Sequence, residues 1–331
     1  MNIQKIAKGF RAWLPFWTIV ALVLGFVYGI LLPEATSILK ELIIPSSFIL
    51  IYLMCIPLRI EDLLKTIKYP KELLLGAFFS LLLAPLLMWP EARLFVADHP
   101  EVFAGLILAG VVPPGGMNTF WSGILEADVS LAMILQIVTF TVAVFWIPLG
   151  MQLFAGSYVT VNYMFMFKKL LFIVVTPLVL AIITRKIITK TKGEKGVVAG
   201  IPYFQFFSGV LALLLVFIAT GLKAHEIIQH PGIIYLPAIA ALIYYVFTFF
   251  FMGLLTFKIL KIGYPKAIPL IFGTATKNLS IAMALAVTTF GPQALLGVVA
   301  CSLFQMPLAS LFYKRYLKFK PVQQTDLLTE V

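Results

Sequence analysis

Two short polar segments interrupt long apolar stretches of the sequence. Residues 112–119 read Val-Pro-Pro-Gly-Gly-Met-Asn-Thr, and residues 273–280 read Gly-Thr-Ala-Thr-Lys-Asn-Leu-Ser. Proline and glycine disfavour a helix, whereas Thr, Asn and Ser can cap the first turn of a helix that restarts. The N-terminus of such a half-helix presents free N–H groups and partial positive charge to an anion. The two segments are therefore candidate anion-binding sites.

Lys277 is the most informative residue of the chain. It lies near the middle of its apolar segment, and no Asp or Glu lies at a comparable depth within any apolar segment of the chain. A lysine at the centre of a membrane helix costs about 2.5–3.5 kcal/mol on insertion scales. It either provides a positive charge for function or is a structural residue whose ammonium group pairs with unwound backbone carbonyls.

The residues predicted to bind substrate or ions belong to the two interruptions and one neighbouring apolar segment. They are Pro113, Pro114, Gly115, Gly116, Asn118, Thr119, Gln136, Thr276, Lys277, Asn278 and Ser280. The sequence predicts no catalytic residue, metal site or cofactor. Cys55 and Cys301 lie inside apolar runs without metal-ligand spacing, and we expect both to be buried packing residues.

The elements that position these residues follow from composition. Of 331 residues, 61% are hydrophobic and 12% are charged, and the mean hydropathy is +1.03. Too little polar surface is available to coat a soluble particle. This excludes a cytosolic enzyme, a nucleic-acid-binding domain and a disordered chain, and indicates an all-α polytopic membrane protein in a lipid bilayer. The net charge of +11 fits an excess of Lys and Arg in cytoplasmic loops.

Apolar runs between charged, Pro-rich or Gly-rich breaks predict about ten membrane spans. They cover residues 13–32, 38–58, 72–90, 101–125, 129–154, 168–187, 201–221, 233–257, 265–290 and 293–314. Each interruption falls in the fourth span of a set of five, and the two interrupted spans run in opposite directions. This pattern is typical of two inverted repeats. We expect repeats at 1–154 and 155–318, followed by a disordered cytoplasmic tail at 319–331.

Basic residues predict the orientation. Alternate loops on one side hold most of the Lys and Arg residues, including Lys5, Lys8 and Arg11 at the N-terminus. The opposite loops hold few: Lys40, Arg93, Lys168, Lys169 and Lys223. The positive-inside rule therefore places both termini in the cytoplasm of a multi-pass protein of the cytoplasmic membrane.

The sequence resembles the superfamily of bile acid:sodium symporters and arsenical-resistance permeases over nearly its whole length. Leu14-Pro15-Phe16-Trp17, Trp121-Ser122, Asp128 and the run from Gly273 to Thr289-Phe290-Gly291 are similar to the arsenite permeases. Pro114-Gly115-Gly116 is equally similar to the bile acid branch. The resemblance implies ten helices in a panel and a core domain, unwound fourth and ninth helices that cross at the substrate and ion sites, and alternating access.

Departures from the family's pattern concern the ligands. Arsenite permeases have a cysteine where this chain has Pro114 and a glutamate where it has Ser280. The sodium-coupled branch has a glutamate and a glutamine where Gly273 and Lys277 stand. Two further ion-ligand positions fall on Ala132 and Gln136. The sodium sites therefore look dismantled, although Asn118, Thr119 and Asn278 keep matching polar character.

These features predict a secondary transporter that moves a small organic or inorganic anion by alternating access. Lys277 takes the place of the sodium ions, with protons or sodium as candidate coupling ions. An alternative is an arsenite or antimonite efflux permease. From other classes, an intramembrane enzyme is disfavoured because no predicted span pairs a nucleophile with His or an acid. A passive channel fits matched interruptions in two repeats less well than a carrier does.

Overall fold

The computed structural model describes residues 13–57 and 70–320 of the chain. The tail expected to be disordered lies outside the described residues from 321 onward. The basic residues Lys5, Lys8, Arg11, Arg59, Lys65 and Lys68, which enter the predicted orientation, also lie outside them. Within the described ranges the secondary structure is helical, with one isolated antiparallel β-bridge between Pro114 and Lys277.

Twelve helical elements make up the described chain. They are α1 (Leu14–Leu31), α2 (Pro33–Cys55), α3 (Pro70–Val96), α4 (Pro100–Val111), α5 (Gly116–Ile124), α6 (Val129–Ala155), α7 (Tyr163–Leu222), α8 (Ala224–Gln229), α9 (Gly232–Ile259), α10 (Tyr264–Ala275), α11 (Leu279–Thr289) and α12 (Pro292–Leu317). Short π-helical segments lie within α3, α7 and α9.

Long apolar helices identify the chain as a polytopic membrane protein. Among the described residues, six helices are long and apolar enough to cross a bilayer: α2, α3, α6, α7, α9 and α12. Shorter apolar helices include α4, α11 and residues Phe16–Leu31 of α1. The shortness of α4 and α11 has a local cause, because each ends or begins at one of the two polar interruptions.

Helix α7 corrects one detail of the sequence interpretation. Residues 188–200 were expected to form a loop between two spans, but they are helical on both sides of Gly193. Gly193 has φ 67° and ψ −177°, a backbone conformation that glycine adopts without the steric cost of a Cβ. The chain bends there, and Arg185 forms a 2.7 Å ion pair with Glu194 across the bend.

Small residues bring the helices into backbone contact. A Cβ added to Gly25 of α1 would lie 2.3 Å from the carbonyl oxygen of Phe217 in α7, and one at Gly29 would lie 2.1 Å from that of Gly221. Between α4 and α12, a Cβ at Gly105 would lie 1.9 Å from the carbonyl oxygen of Ala294. Since lipid offers no hydrophobic drive between helices, such close approach is how membrane helices gain packing contacts.

The helices form two groups. Helices α1 and α2 pack on α7, whereas α12 packs against α4, α9 and α11. Helices α7, α11 and α12 also contact each other, so the two groups meet around the interrupted segments.

Candidate functional site

Both polar interruptions are breaks between two helices. Helix α4 ends at Val111 and α5 begins at Gly116, with Val112 in an extended conformation (φ −62°, ψ 151°). Helix α10 ends at Ala275 and α11 begins at Leu279, with Thr276 extended (φ −100°, ψ 93°). The residue types explain this local structure, because Pro113 and Pro114 cannot donate helical hydrogen bonds.

The two breaks pair with each other through backbone hydrogen bonds. The Gly115 N–H donates to the Thr276 carbonyl at 3.2 Å, and the Asn278 N–H donates to the Pro113 carbonyl at 3.0 Å. Gly115 permits this approach, because a Cβ there would lie 3.3 Å from Cα of Asn278. Buried backbone groups need partners, and here each break supplies them to the other.

The side chain of Gln305 in α12 satisfies the remaining backbone groups at the centre of the second break. Its Oε1 accepts from the Lys277 N–H at 2.9 Å, and its Nε2 donates to the Lys277 carbonyl at 3.2 Å. The same Oε1 accepts from the Tyr245 hydroxyl at 3.2 Å. The Gln305 amide thus bonds to both backbone groups of Lys277, as a neighbouring β-strand would.

The Lys277 ammonium group is buried against helix α3. It donates to the carbonyl oxygen of Ser80 and, at 3.0 Å, to the Ser80 hydroxyl. In the π-helical segment Phe78–Leu83 the Ala84 N–H donates to the Phe79 carbonyl, five residues back. Pro85 has no N–H to donate. The Ser80 carbonyl is therefore released from both helical donors and is free to accept from the lysine.

A cavity of about 350 Å³ opens beside the paired breaks. The first residues of α5 and α11 face it from two sides, and α1, α2, α6, α7 and α12 complete the wall. Five methionines contribute to the wall: Met54, Met117, Met133, Met283 and Met306. Gln205 and Ser208 add polar groups from α7. The cavity therefore combines two helix N-termini with a flexible, largely apolar surface.

The two helix N-termini at the cavity, those of α5 and α11, have backbone N–H groups that can donate to a ligand. The first N–H groups of any helix lack partners within that helix. Asn278 caps α11 through its side-chain oxygen, which accepts from the Ile281 N–H at 3.4 Å. The N–H groups of Gly116 and Ser280, each in the first turn of its helix, donate to no described residue. An anion between the two helices would receive hydrogen bonds and favourable helix dipoles from both.

Behind the cavity wall, α5 carries polar groups without partners. Both amide atoms of Asn118 and the Ser122 hydroxyl are buried and accept or donate no hydrogen bond among the described residues. They lie one helical turn apart, on the side that faces Gly273 of α10: a Cβ added to Gly273 would lie 2.9 Å from Nδ2 of Asn118. Unpaired buried polar groups are costly, and Asn118 and Ser122 both lie outside the cavity wall.

The predicted site residues divide into two sets. Those that line the cavity are Gly115, Gly116, Thr119, Gln136, Lys277, Asn278 and Ser280. Those that are buried outside its wall are Pro113, Pro114, Asn118 and Thr276. The sequence-based list omitted Ser80 and Gln305, which make the closest contacts to Lys277. Pro85, five residues after Ser80, was the sequence signal that the Ser80 carbonyl lacks a helical donor.

Cysteines and acidic residues play little part in the site. Cys55 and Cys301 are free and buried, as expected, and neither lines the cavity. Within residues 13–57 and 70–320, no cluster of three or more His, Cys, Asp or Glu residues could hold a metal ion.

Comparison with known proteins identifies the chain. The sequence pattern of the Sodium Bile acid symporter family matches residues 44–230. The chain belongs to this family. Its members are transporters and permeases, not enzymes.

Relatives in the sodium bile acid symporter family align over most of the chain. The Bacillus subtilis protein YbaS is 27% identical over 267 residues, 80% of this chain and 85% of YbaS. An uncharacterized transporter of Synechocystis is 26% identical over 311 residues, 85% of this chain and 81% of the relative. The arsenical-resistance protein Acr3 of Corynebacterium glutamicum is 27% identical over 312 residues, 87% of this chain and 83% of Acr3.

Proposed function

We propose that this protein is a secondary transporter that moves a small organic anion across the cytoplasmic membrane by alternating access. The observation that carries the proposal is the meeting of two half-helix N-termini, at Gly116 and Leu279, on one cavity. Paired broken helices in corresponding halves are the pattern of a carrier's binding site. The volume of about 350 Å³ lies in the range of about 300–1,000 Å³ that small-molecule sites occupy.

The proposed architecture is ten spans in two inverted repeats, at 1–154 and 155–318. It is supported by the positions of the two breaks and by the bend at Gly193, which divides the 60 residues of α7 into two stretches that can each cross the bilayer. With the basic loops inside, both termini lie in the cytoplasm. The two breaks then lie in the fourth and ninth spans, which cross each other there.

Lys277 provides the positive charge of this mechanism in the place where relatives bind sodium. Among the described residues no carboxylate pairs with its ammonium group, which rests on the two neutral oxygens of Ser80. Its charge is therefore not cancelled locally and adds to the positive potential of the two helix N-termini. Coupling to protons, through gain and loss of the lysine's own proton, fits this arrangement better than coupling to sodium.

The experiment is a binding panel followed by transport. Purified protein in potassium buffer is heated with acetate, butyrate, octanoate, sulfate, phosphate or arsenite, since a ligand of the folded state raises the melting temperature with its concentration. We expect a carboxylate to stabilise saturably and to be taken up concentratively by proteoliposomes. Uptake that only equilibrates the anion would indicate a channel, and no stabilisation by any of these anions would contradict the proposal.

A second candidate is arsenite efflux, favoured by the likeness to Acr3, an arsenical-resistance protein. Soft thiolates are the ligands that suit arsenite, but Cys55 and Cys301 are buried and lie outside the cavity wall. A protein with both Cys55→Ala and Cys301→Ala separates the candidates. We expect it to keep anion transport, whereas arsenite resistance that is present in cells with the native protein and lost with this variant would favour the second candidate.

A further inference from the structure

The strongest unassigned feature of the cavity is the side-chain amide of Gln305. It is 5% exposed, lies on α12 and contributes to the cavity wall beside Lys277. Its three hydrogen bonds fix which way the amide points. Oε1 accepts from two donors, the Lys277 N–H and the Tyr245 hydroxyl, while Nε2 donates to the Lys277 carbonyl. A flipped amide would set its NH2 group against the Lys277 N–H, which can only donate.

The same bonds hold the non-helical backbone of the break between α10 and α11. Lys277 is the only residue between α10 and α11 whose backbone N–H and carbonyl both bond to this one side chain, while its neighbours Thr276 and Asn278 bond to the first break. Without Gln305, the Lys277 N–H would be buried and unpaired, at a cost that a shift of the break could relieve. Such a shift would move the α11 N-terminus relative to that of α5.

One amide hydrogen of Gln305 remains. A side-chain NH2 group has two donors, and the described residues use one of them, for the Lys277 carbonyl. Since Gln305 forms part of the cavity wall, its second N–H is a candidate donor to a bound anion close to the first turn of α11.

We propose that Gln305, oriented by Tyr245, positions the break at Lys277 and donates its second amide N–H to the transported anion. The inference rests on the proposed anion transport and adds a specificity-determining donor to it. Tyr245 acts through Gln305, because its hydroxyl contacts the glutamine oxygen and its side chain does not form part of the cavity wall.

The test compares Gln305→Met with Thr274→Val. The first removes the amide at similar volume. The second removes a buried hydroxyl near the break that bonds only to its own helix, at the Leu270 carbonyl, and that lies outside the cavity wall. For the panel anion that stabilises the native protein most, we expect Gln305→Met to raise Kd at least about tenfold, or about 1.4 kcal/mol. Thr274→Val should stay within about twofold.

Tyr245→Phe separates positioning from general destabilisation. It should raise Kd about threefold, as expected for one lost neutral hydrogen bond. Combined with Gln305→Met it should add nothing, because the two residues act as one unit. If Gln305→Met does not fold, Tyr245→Phe provides the test, because it keeps both contacts between Gln305 and Lys277. Additive effects of the two substitutions would overturn the role of Tyr245.

Backbone amide exchange gives a readout that needs no substrate. Residues 276–281 should exchange about tenfold faster in Gln305→Met than in the native protein, given the loss of hydrogen bonds at the break, and Thr274→Val should not show this. Unchanged exchange, or an anion Kd within about twofold of native, would overturn the inference. If the native protein binds no anion of the panel, the proposed function fails, and the exchange rates still decide whether Gln305 positions the break.

Discussion

The Lys277 ammonium group donates to the carbonyl and hydroxyl oxygens of Ser80, a residue 197 positions away in the chain. This contact bears on the choice between a structural and a functional lysine, which the sequence left open. The lysine is paired with a backbone carbonyl, as the structural interpretation required, but the carbonyl belongs to helix α3 and not to unwound backbone. Its partners are neutral, so the pairing does not cancel the positive charge, although Ser80 itself lies outside the cavity wall. Structural pairing and a functional charge are therefore compatible.

Replacing the lysine tests the charge. Lys277→Gln removes the ammonium group, whose insertion costs about 2.5–3.5 kcal/mol, but also the bonds to Ser80 that offset this cost. We expect a folded protein with a melting temperature close to native and anion uptake at least about tenfold lower, since a hydrogen bond or charge of this kind is worth more than about 1.4 kcal/mol. Uptake into proteoliposomes without sodium and thermal unfolding measure the two effects.

The matched control is Lys266→Gln, the same change at the start of α10. Lys266 is 47% exposed in its side chain and pairs with Glu72, and exposed pairs contribute only about 0–1 kcal/mol. The Lys266→Gln substitution should leave anion uptake unaltered. Normal uptake by folded Lys277→Gln would eliminate the proposed role of the charge.

Pro85 provides a test that removes no polar group. Pro85→Ala adds an N–H five residues after Ser80, where it can bond to the Ser80 carbonyl within the helix and compete with Lys277. We expect uptake to fall roughly threefold to tenfold while the melting temperature stays equal or rises. Pro90→Ala, in the same helix, is the control, because its new N–H faces a different turn. Equal uptake by the two variants would show that the released Ser80 carbonyl does not matter.

The breaks could be predicted from sequence because their causes are local. Proline at 113 and 114 and the polar run around Lys277 disfavour helix wherever they stand, and the structure interrupts its helices inside both predicted segments. The loop predicted over 188–200 was wrong, because charged residues end a membrane span without ending a helix. Only Gly193 leaves the helical conformation there.

The contacts between elements could not be predicted in this way. Ser80 and Gln305 meet Lys277 through packing of α3 and α12 on the break, and a single sequence carries no record of which polar residues in different apolar helices approach each other. The sequence marks Gln305 as a polar residue in an apolar span, able to line a cavity or to bond across helices, but it does not show that Lys277 is its partner. The pairing of the breaks likewise depends on tertiary structure.

Sodium should have no effect on stability or transport. Where the sodium-coupled relatives have a glutamate this chain has Gly273, and a Cβ there would already lie 2.9 Å from both Asn118 Nδ2 and Leu135 Cδ2. Without a carboxylate at this position, no negative charge compensates that of a bound cation. We expect equal melting temperatures when sodium chloride replaces potassium chloride over a concentration series. A saturable rise with sodium would reveal a site and contradict the proposed replacement by Lys277.

Lys169 gives the last prediction, which concerns the end of α11 that is remote from the cavity. Its ammonium group donates to the Thr288 carbonyl at 2.6 Å and lies 4.6 Å from the centre of the Phe165 ring. Thr288 is in the last turn of α11, where free carbonyls and the helix dipole favour a cation. The contact ties α7 to the end of α11 remote from the cavity, on the outer face in the proposed topology.

If α11 separates from α7 at this point during the proposed alternating access, Lys169→Ala should favour the outward-open state. In a protein with Cys55→Ala and Cys301→Ala, a single cysteine introduced by Ser208→Cys on the cavity wall reports access to a membrane-impermeant maleimide added on the outer side. We expect labelling to become about threefold to tenfold faster, as for the loss of one charge-assisted hydrogen bond. Lys168→Ala is the control, since Lys168 is exposed beside it and should leave labelling unchanged. If Lys169→Ala labels no faster than Lys168→Ala, the Lys169 to Thr288 contact does not hold the outer side closed.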